Sequence, residues 1–368
     1  MSGGVARPLR AALLGTGAWA GVLARAAAQS PAIDIACCWS RTPERVRAFA
    51  AANGIEPRAD IQSILDDRRI EAVIIALPND QHRPYATLAA RHGKHLFIEK
   101  PIAHLLEDGL AIAALEALHG VRIVVGHCAR LLAGNRRLRV AIERGELGRI
   151  SSIEASFCND RGLRLTPQDW RWYQASAPGG CLSQIAIHQL DTLRAIGGPI
   201  DTIAARSARL ASTGAEVEDQ WMITAGFADG KLGSVLSSWT SAGRYEVRAS
   251  GDSATMTYAI DQSLWSDAER LHEGAVLDRV ERGSGHATRT GLDVAPGNMF
   301  REELELFAAS ARDNEPCELS AHNACLAVAA VDAAIASASD DGRAVRIDDV
   351  MVAAHARMMA AAAPDARS

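Results

Sequence analysis

A chain of 368 residues exceeds what one hydrophobic core ordinarily serves, so two domains are expected. Its formal charge of −5 is mild, and Lys and Arg are scattered rather than gathered into a stripe, which argues against nucleic acid as the main partner. No stretch offers the roughly 20 apolar residues of a bilayer span, and seven cysteines without a CxxC pair or metal-ligand spacing point to buried reduced thiols, a cytoplasmic protein and no metal site.

Arg7 and Arg10 ahead of "AALLGTGAWAGVLARAAAQS" have the outline of a secretion signal. Cleavage there would remove a glycine motif argued below to be functional, so the run is read as mature sequence. It passes from a short apolar strand through glycines into an alanine-rich helix. "IDIACCWS" is a second strand, followed by the helix "TPERVRAFAAANG", with Thr42 as N-cap and Pro43 at the first position. "IEAVIIALP" is a continuous apolar run, as expected of a parallel strand covered on both faces. The helix "HRPYATLAARHG", the strand "KHLFIEKP", a helix near 105–119 and the strand "VRIVVGHCA" continue the alternation. This is the signature of an α/β, doubly wound parallel sheet, assigned to residues 1–127.

Beyond Gly126 the rhythm changes. "GNRRLRVAIERGELG" reads as a helix, and six segments ("RISSIEASFC", "DTIAARSARL", "DQWMITAGFADG", "KLGSVLSSWTS", "YEVRASG" and "SATMTYAI") read as strands with hairpin-like breaks. Residues 128–368 are therefore expected to form an α+β domain with a large, open, mostly antiparallel sheet. "NMFREELELFAASARDN" is amphipathic, with Asn298 as a natural N-cap, and "HNACLAVAAVDAAIASAS" is apolar enough to pack.

Gly15-Thr16-Gly17-Ala18-Trp19-Ala20 is a GxGxxA form of the dinucleotide fingerprint, placed directly after a strand and opening a helix. Gly15 permits the turn, Gly17 lets the backbone approach a pyrophosphate, and the helix N-terminus presents free N–H groups to the anion. An acid at the end of the second strand would bind the ribose 2′-hydroxyl of NAD, but that strand ends in Trp39-Ser40-Arg41-Thr42, and Asp34 lies at its wrong end. Ser40 and Arg41 suit a 2′-phosphate, which favours NADP while leaving NAD open.

"FIEKP" ends another strand with Glu99, Lys100 and Pro101, so Lys100 would point into the crevice where it can donate to a substrate oxygen and move its proton. A solvated lysine is the bland alternative. "LPNDQH" puts Pro78, Asn79 and His82 beside the nicotinamide ribose; His82 could equally be an exposed helix-start residue. In "GGCLSQIAIHQLD", Gln184, His188 and Asp191 share one helical face behind a Gly-Gly turn, unusual for a purely apolar core.

Together these residues resemble the glucose–fructose oxidoreductase / inositol dehydrogenase / MocA family of NAD(P)-dependent oxidoreductases. The resemblance runs through "LLGTGAWA", "AVIIALPNDQH", "GKHLFIEKPIA", "RVAIERGELGRISSIEAS" and the "GG…H…D" helix. It implies a Rossmann domain and a C-terminal α+β domain whose open sheet makes a homodimer or homotetramer. It also carries a proton-transfer role onto Lys100 and the family's histidine onto His188. Many members have an aspartate four residues before that histidine; here the position is Gln184, which can orient a substrate but cannot relay a proton. A Gln there resembles a subset acting on aromatic cis-dihydrodiols, so the expected substrate is a cyclic polyol, a sugar derivative or such a dihydrodiol. Trp170, Arg130, His127 and Arg171 lie in segments that border the family's substrate cleft. Arg130 or Arg171 could grip a substrate carboxylate, although Arg171 reads slightly better as an ordinary ion-pairing arginine. The competing expectation is a nucleotide-binding sensor of the same fold without turnover, kept open by Gln184.

Overall fold

The computed structural model describes residues 7–211, 213–283 and 288–362. In chain order it runs β1 (Leu9–Leu14), α1 (Ala18–Ala28), β2 (Ile33–Trp39), α2 (Pro43–Asn53), β3 (Glu56–Pro57), α3 (Gln62–Leu65), β4 (Ala72–Ile75), α4 (His82–Arg91), β5 (His95–Ile98), α5 (Leu106–His119) and β6 (Ile123–Val125). There follow α6 (Ala133–Glu143), β7 (Ile150–Cys158), a π-helical turn (Leu182–Ala186) leading into α7 (Ile187–Gly197), β8 (Ile200–Ala208), β9 (Gln220–Phe227), β10 (Leu232–Ser238), β11 (Arg244–Gly251) and β12 (Ala254–Ile260). The chain closes with β13 (Val276–Glu281), β14 (Thr288–Leu292), α8 (Met299–Asp313), α9 (Ala321–Ser339), β15 (Val345–Arg346) and α10 (Ile347–Ala362).

Two compact units result. One runs to His127 and is joined by Asn298–Cys325; the other comprises Cys128–Gly297 and the stretch from Leu326. The return of 298–325 to the first unit corrects the expectation that everything after 127 belongs to the second. The reason is the apolar stripe of α8: Met299, Phe300, Leu304, Phe307 and Ala308 are buried. Phe307 meets Phe97 of β5 at 5.9 Å between ring centroids, and Phe300 meets Trp19 at 5.7 Å. Asn298 caps the helix as expected, accepting from Phe300 and Arg301 N–H at 3.2 Å.

The first unit's sheet has the order β3-β2-β1-β4-β5-β6, with every pair parallel. β4 is buried at all four positions, as its unbroken apolar sequence requires. The order reverses at β1, which has β2 on one side and β4 on the other. In such sheets ligands bind outside the carboxyl ends of the strands at that reversal.

The second unit's sheet has nine strands in the order β14-β13-β12-β11-β7-β10-β9-β8-β15, antiparallel except where β7 meets β10. Three of them, β13, β14 and β15, were not legible: β14 is mostly exposed, β15 has two residues, and β13 alternates only weakly. In β9 the alternation is clear: Trp221, Ile223, Ala225 and Phe227 point inward, while Met222 and Thr224 lie on the opposite face. α7 covers the inner face. Among the described residues one helix, α9, is long and apolar enough to cross a membrane, contrary to expectation, but most of its apolar window is buried within the fold. All seven cysteines are free thiols, six of them buried.

Candidate active site

At the carboxyl end of β1, Gly15 adopts φ 119°, and a Cβ there would lie 2.3 Å from the Ala76 carbonyl oxygen, so no side chain fits. Its N–H donates to the Trp39 carbonyl at 2.9 Å, and Thr16 and Ser40 exchange a hydroxyl hydrogen bond at 3.2 Å, which ties the glycine turn to the end of β2. α1 starts at Ala18 with Gly17 as an N-cap that supplies no side-chain acceptor. A Cβ on Gly17 would meet nothing within 4 Å, so internal packing does not explain this glycine. Asn79 is buried, and its Nδ2 has no acceptor among the described residues. An uncapped helix start, open space at Gly17 and an orphaned amide suit a dinucleotide phosphate and ribose.

At the start of β2, Asp34 is engaged by Arg10 at 2.7 Å, at the strand end away from the glycine turn. Arg41 is exposed and pairs with no described carboxylate, while Ser40 is half-buried beside the glycine turn. Trp39 packs on Tyr85, with 5.5 Å between centroids.

β5 delivers Glu99, Lys100 and Pro101, and the Lys100–Pro101 bond is cis. Lys100 is half-buried, and its N–H donates to Glu99 Oε2 at 3.2 Å. Burial raises the Glu99 carboxyl to about 7 against the opposing pull of Lys100. Beside it lies Glu303 of α8, wholly buried; burial, reinforced by Glu99, pushes its carboxyl well above the usual range. Glu303 was missed in the sequence, although its position within the Met299-Phe300-Leu304-Phe307 stripe puts a carboxyl on an apolar face. His82 is not the exposed helix-start residue that the sequence left open. It is fully buried, with Nδ1 against the carbonyls of Pro101 (3.1 Å) and Ile102 (3.2 Å) and Nε2 against Leu77 at 2.9 Å. Through these contacts His82 ties the Lys100–Pro101 turn to the end of β4. Pro78 stands at the same strand end, half-buried.

In the second unit, Gly179 and Gly180 have φ of 68° and 55°, and a Cβ on Gly180 would lie 2.1 Å from the Glu218 carbonyl. They lead into the π turn, an irregularity that sequence periodicity does not reveal and that recurs at functional sites. Gln184 sits in that turn, 5% exposed, donating to Ser183 Oγ at 3.3 Å and accepting from Arg171 Nε at 3.2 Å. His188 follows on α7, 3% exposed, its ring against Trp265 (5.3 Å) and Phe157 (6.0 Å).

Arg130 and Asp191, both expected to touch substrate, are instead joined to each other. Arg130 Nε and NH2 donate to the two Asp191 oxygens at 2.5 Å, both side chains being buried. This two-pronged pair fastens the segment after His127 to α7. Trp170 is half-buried, with the Arg171 guanidinium 4.0 Å above its ring. His127 is buried in the first unit.

Two family profiles match the chain: residues 9–127 match an oxidoreductase family described as an NAD-binding Rossmann fold, and residues 135–257 match the GFO/IDH/MocA C-terminal domain. Levoglucosan dehydrogenase of Pseudarthrobacter phenanthrenivorans is 27% identical over 350 residues, spanning 85% of this chain and 84% of that one. The 1,5-anhydro-D-fructose reductase of Ensifer adhaerens is 33% identical over 189 residues, 50% of this chain and 56% of the relative's length. A candidate NADPH-dependent oxidoreductase from Desulfitobacterium hafniense DCB-2 superimposes with a TM-score of 0.90 at 31% identity, covering 94% of this chain and 99% of that one. With matching profiles in both parts of the chain and the same architecture along nearly its full length, the chain belongs to the Gfo/Idh/MocA family of oxidoreductases.

Proposed function

We propose that the protein is an NADP-preferring dehydrogenase acting on a carbinol carbon of a cyclic polyol, sugar derivative or aromatic cis-dihydrodiol. The observation that carries this reading lies within the first unit. The carboxyl edge of one parallel sheet bears both an uncapped glycine turn and, two strands from it, the half-buried Lys100 next to a buried acid. Gly15, Thr16, Gly17, Ala18 and Trp19 would hold the pyrophosphate, Ser40 and Arg41 the 2′-phosphate, and Pro78, Asn79 and Glu99 the nicotinamide end. When bound, the nicotinamide supplies or accepts the hydride. In the oxidative direction Lys100 takes the proton of the substrate hydroxyl; His188 is assigned to proton handling and Gln184 to orienting the ring through its amide, as the family resemblance implies.

The test is reduction of NADP followed by absorbance across a panel of cyclic polyols, sugars and cis-dihydrodiols, with Lys100→Met alongside. Turnover by the wild type that falls by at least about a hundredfold in the variant supports the reading. Tight NADPH binding without turnover of any panel member favours a nucleotide sensor. Arg41→Ala should weaken NADPH far more than NADH; equal losses would remove the argument for the 2′-phosphate. The exposed face of the nine-stranded sheet is the surface on which we propose that copies of the chain associate.

A further inference from the structure

We propose that Arg171, stacked on Trp170 beside Gln184, is a receptor for a carboxylate carried by the ring substrate, so that the enzyme acts on an acidic cyclic diol or polyol rather than a neutral one. This rests on the dehydrogenase reading above and narrows its substrate class.

The guanidinium is held but not neutralised. Trp170 supports its face at 4.0 Å, and Nε donates to Gln184 Oε1 at 3.2 Å. Among the described residues neither terminal nitrogen has a hydrogen-bond acceptor, and no carboxylate lies within ion-pair distance. The acids of the same segment are engaged elsewhere. Asp160 takes both prongs of Arg164 at 2.6 and 2.7 Å, and Asp169 accepts from the N–H and hydroxyl of Thr166 at 2.9 and 3.0 Å. The charged neighbours are therefore Arg161, of like sign, and the partly engaged Asp169; burial and then Arg161 pull the Arg171 guanidinium down to about 10. Burial likewise lowers Arg161. Arg161 nonetheless remains exposed to solvent, so the charge that an anion would relieve is chiefly that of the half-buried Arg171.

The geometry of the guanidinium itself selects the anion. With Nε turned to Gln184, the free edge of the guanidinium is the pair of terminal N–H groups, a planar fork that matches one carboxylate. The Gln184 amide stands at that fork's base and belongs to the turn that leads into His188. A ring bearing its carboxylate on Arg171 would lie along Trp170. Arg130 already gives two prongs to Asp191, so Arg171 is the one of the two whose terminal nitrogens have no described acceptor.

The experiment uses matched pairs: D-glucuronate against D-glucose, and a cis-1,2-dihydroxycyclohexadiene carboxylate against its methyl ester. Binding to the NADPH-loaded protein is read by calorimetry and turnover by absorbance, for wild type, Arg171→Gln and Arg171→Lys. The quantity read is the acid-to-neutral ratio of affinity and of kcat/KM, which a uniform loss of packing leaves unchanged. In at least one pair the wild type should favour the acid about 10- to 100-fold. Arg171→Gln should abolish that ratio, and Arg171→Lys, which keeps charge but not the fork, should restore part of it. Equal ratios in wild type and Arg171→Gln, or preference for the neutral member of both pairs, would overturn the proposal. Selective binding of the acids without turnover would leave the subsite standing and overturn the dehydrogenase reading instead.

Discussion

Glu303 shows how a single buried group ties stability to pH. Neither of its oxygens meets a hydrogen-bond donor among the described residues, and Glu99 lies beside it. Both carboxyls are raised above the ordinary 4.5, Glu99 to about 7 and Glu303 well above that ordinary value, with burial as the main cause in each. The folded chain therefore keeps protons that the unfolded chain releases near 4.5. The stabilisation this represents is complete below that pH and is lost as pH rises through 7 and beyond. Glu303→Gln replaces the acid by a neutral group of the same shape. Urea midpoints of the two proteins should lie closest near pH 4.5 and separate towards alkaline pH, with the variant the more stable; parallel pH profiles would refute the buried acid. Glu303 was overlooked because one carboxyl in an amphipathic helix is ordinarily solvated, and only its phase within the stripe gives it away. The contacts that His82, Arg130 and Asp191 make within the chain were not legible, for a related reason. Residue type and spacing identify groups able to touch a ligand, whereas their engagement depends on carbonyls and charges far along the chain. Lys100 at a strand end, and Gln184 and His188 behind a glycine turn, stand on the elements where the sequence puts them, because each position is announced locally.

Two glycines of the strand-to-helix turn, alike in the motif, differ in what they do for the element. At Gly15 a methyl group meets the Ala76 carbonyl and the backbone is left-handed, so Gly15→Ala should cost about 3 kcal/mol or more and weaken everything that depends on the turn. At Gly17 the backbone is extended, with φ −84°, and the space is open. Gly17→Ala should therefore change stability by no more than about 1 kcal/mol, yet reduce nucleotide affinity by about tenfold or more, because the methyl group would stand where the pyrophosphate comes close. Thermal melts paired with NADPH titration separate the two effects, and unchanged affinity in a stable Gly17→Ala would move the anion away from this turn. The strand and helix order of the first unit was readable, apart from the two-residue β3 and the four-residue α3, since each longer element carries its own periodicity and punctuation. The π turn and the placement of α8 were not. The first is set by how Gly180 passes under Glu218, the second by aromatic partners on α1 and β5.

At the scale of the whole molecule, the nine-stranded sheet leaves one face without helices of its own at its centre. Register aligns Arg206, Met222, Leu236, Ser156 and Glu246 in one row across β8, β9, β10, β7 and β11. The row has an apolar middle, a cation at one end and an acid at the other, and it lines a shallow depression of about 600 Å³. Met222 is 68% exposed there, an unusual state for a methionine at the centre of a sheet. Such a face suits a second copy turned about a two-fold axis, since the apolar middle meets itself and each charged end meets its opposite. A stable pairing needs about 800 Å² from each partner, within reach of five adjacent strands. Light scattering after size exclusion should then give a dimer or a multiple of it for the wild type. Met222→Glu puts a charge into the apolar middle of that face, one position from the axis at Leu236, and should shift the protein to monomer at micromolar concentration. Its effect within one chain should stay within about 0.5 kcal/mol, because the side chain is already exposed. A monomeric wild type across the concentration range, or a variant that assembles as before, would mean that the face serves some other contact.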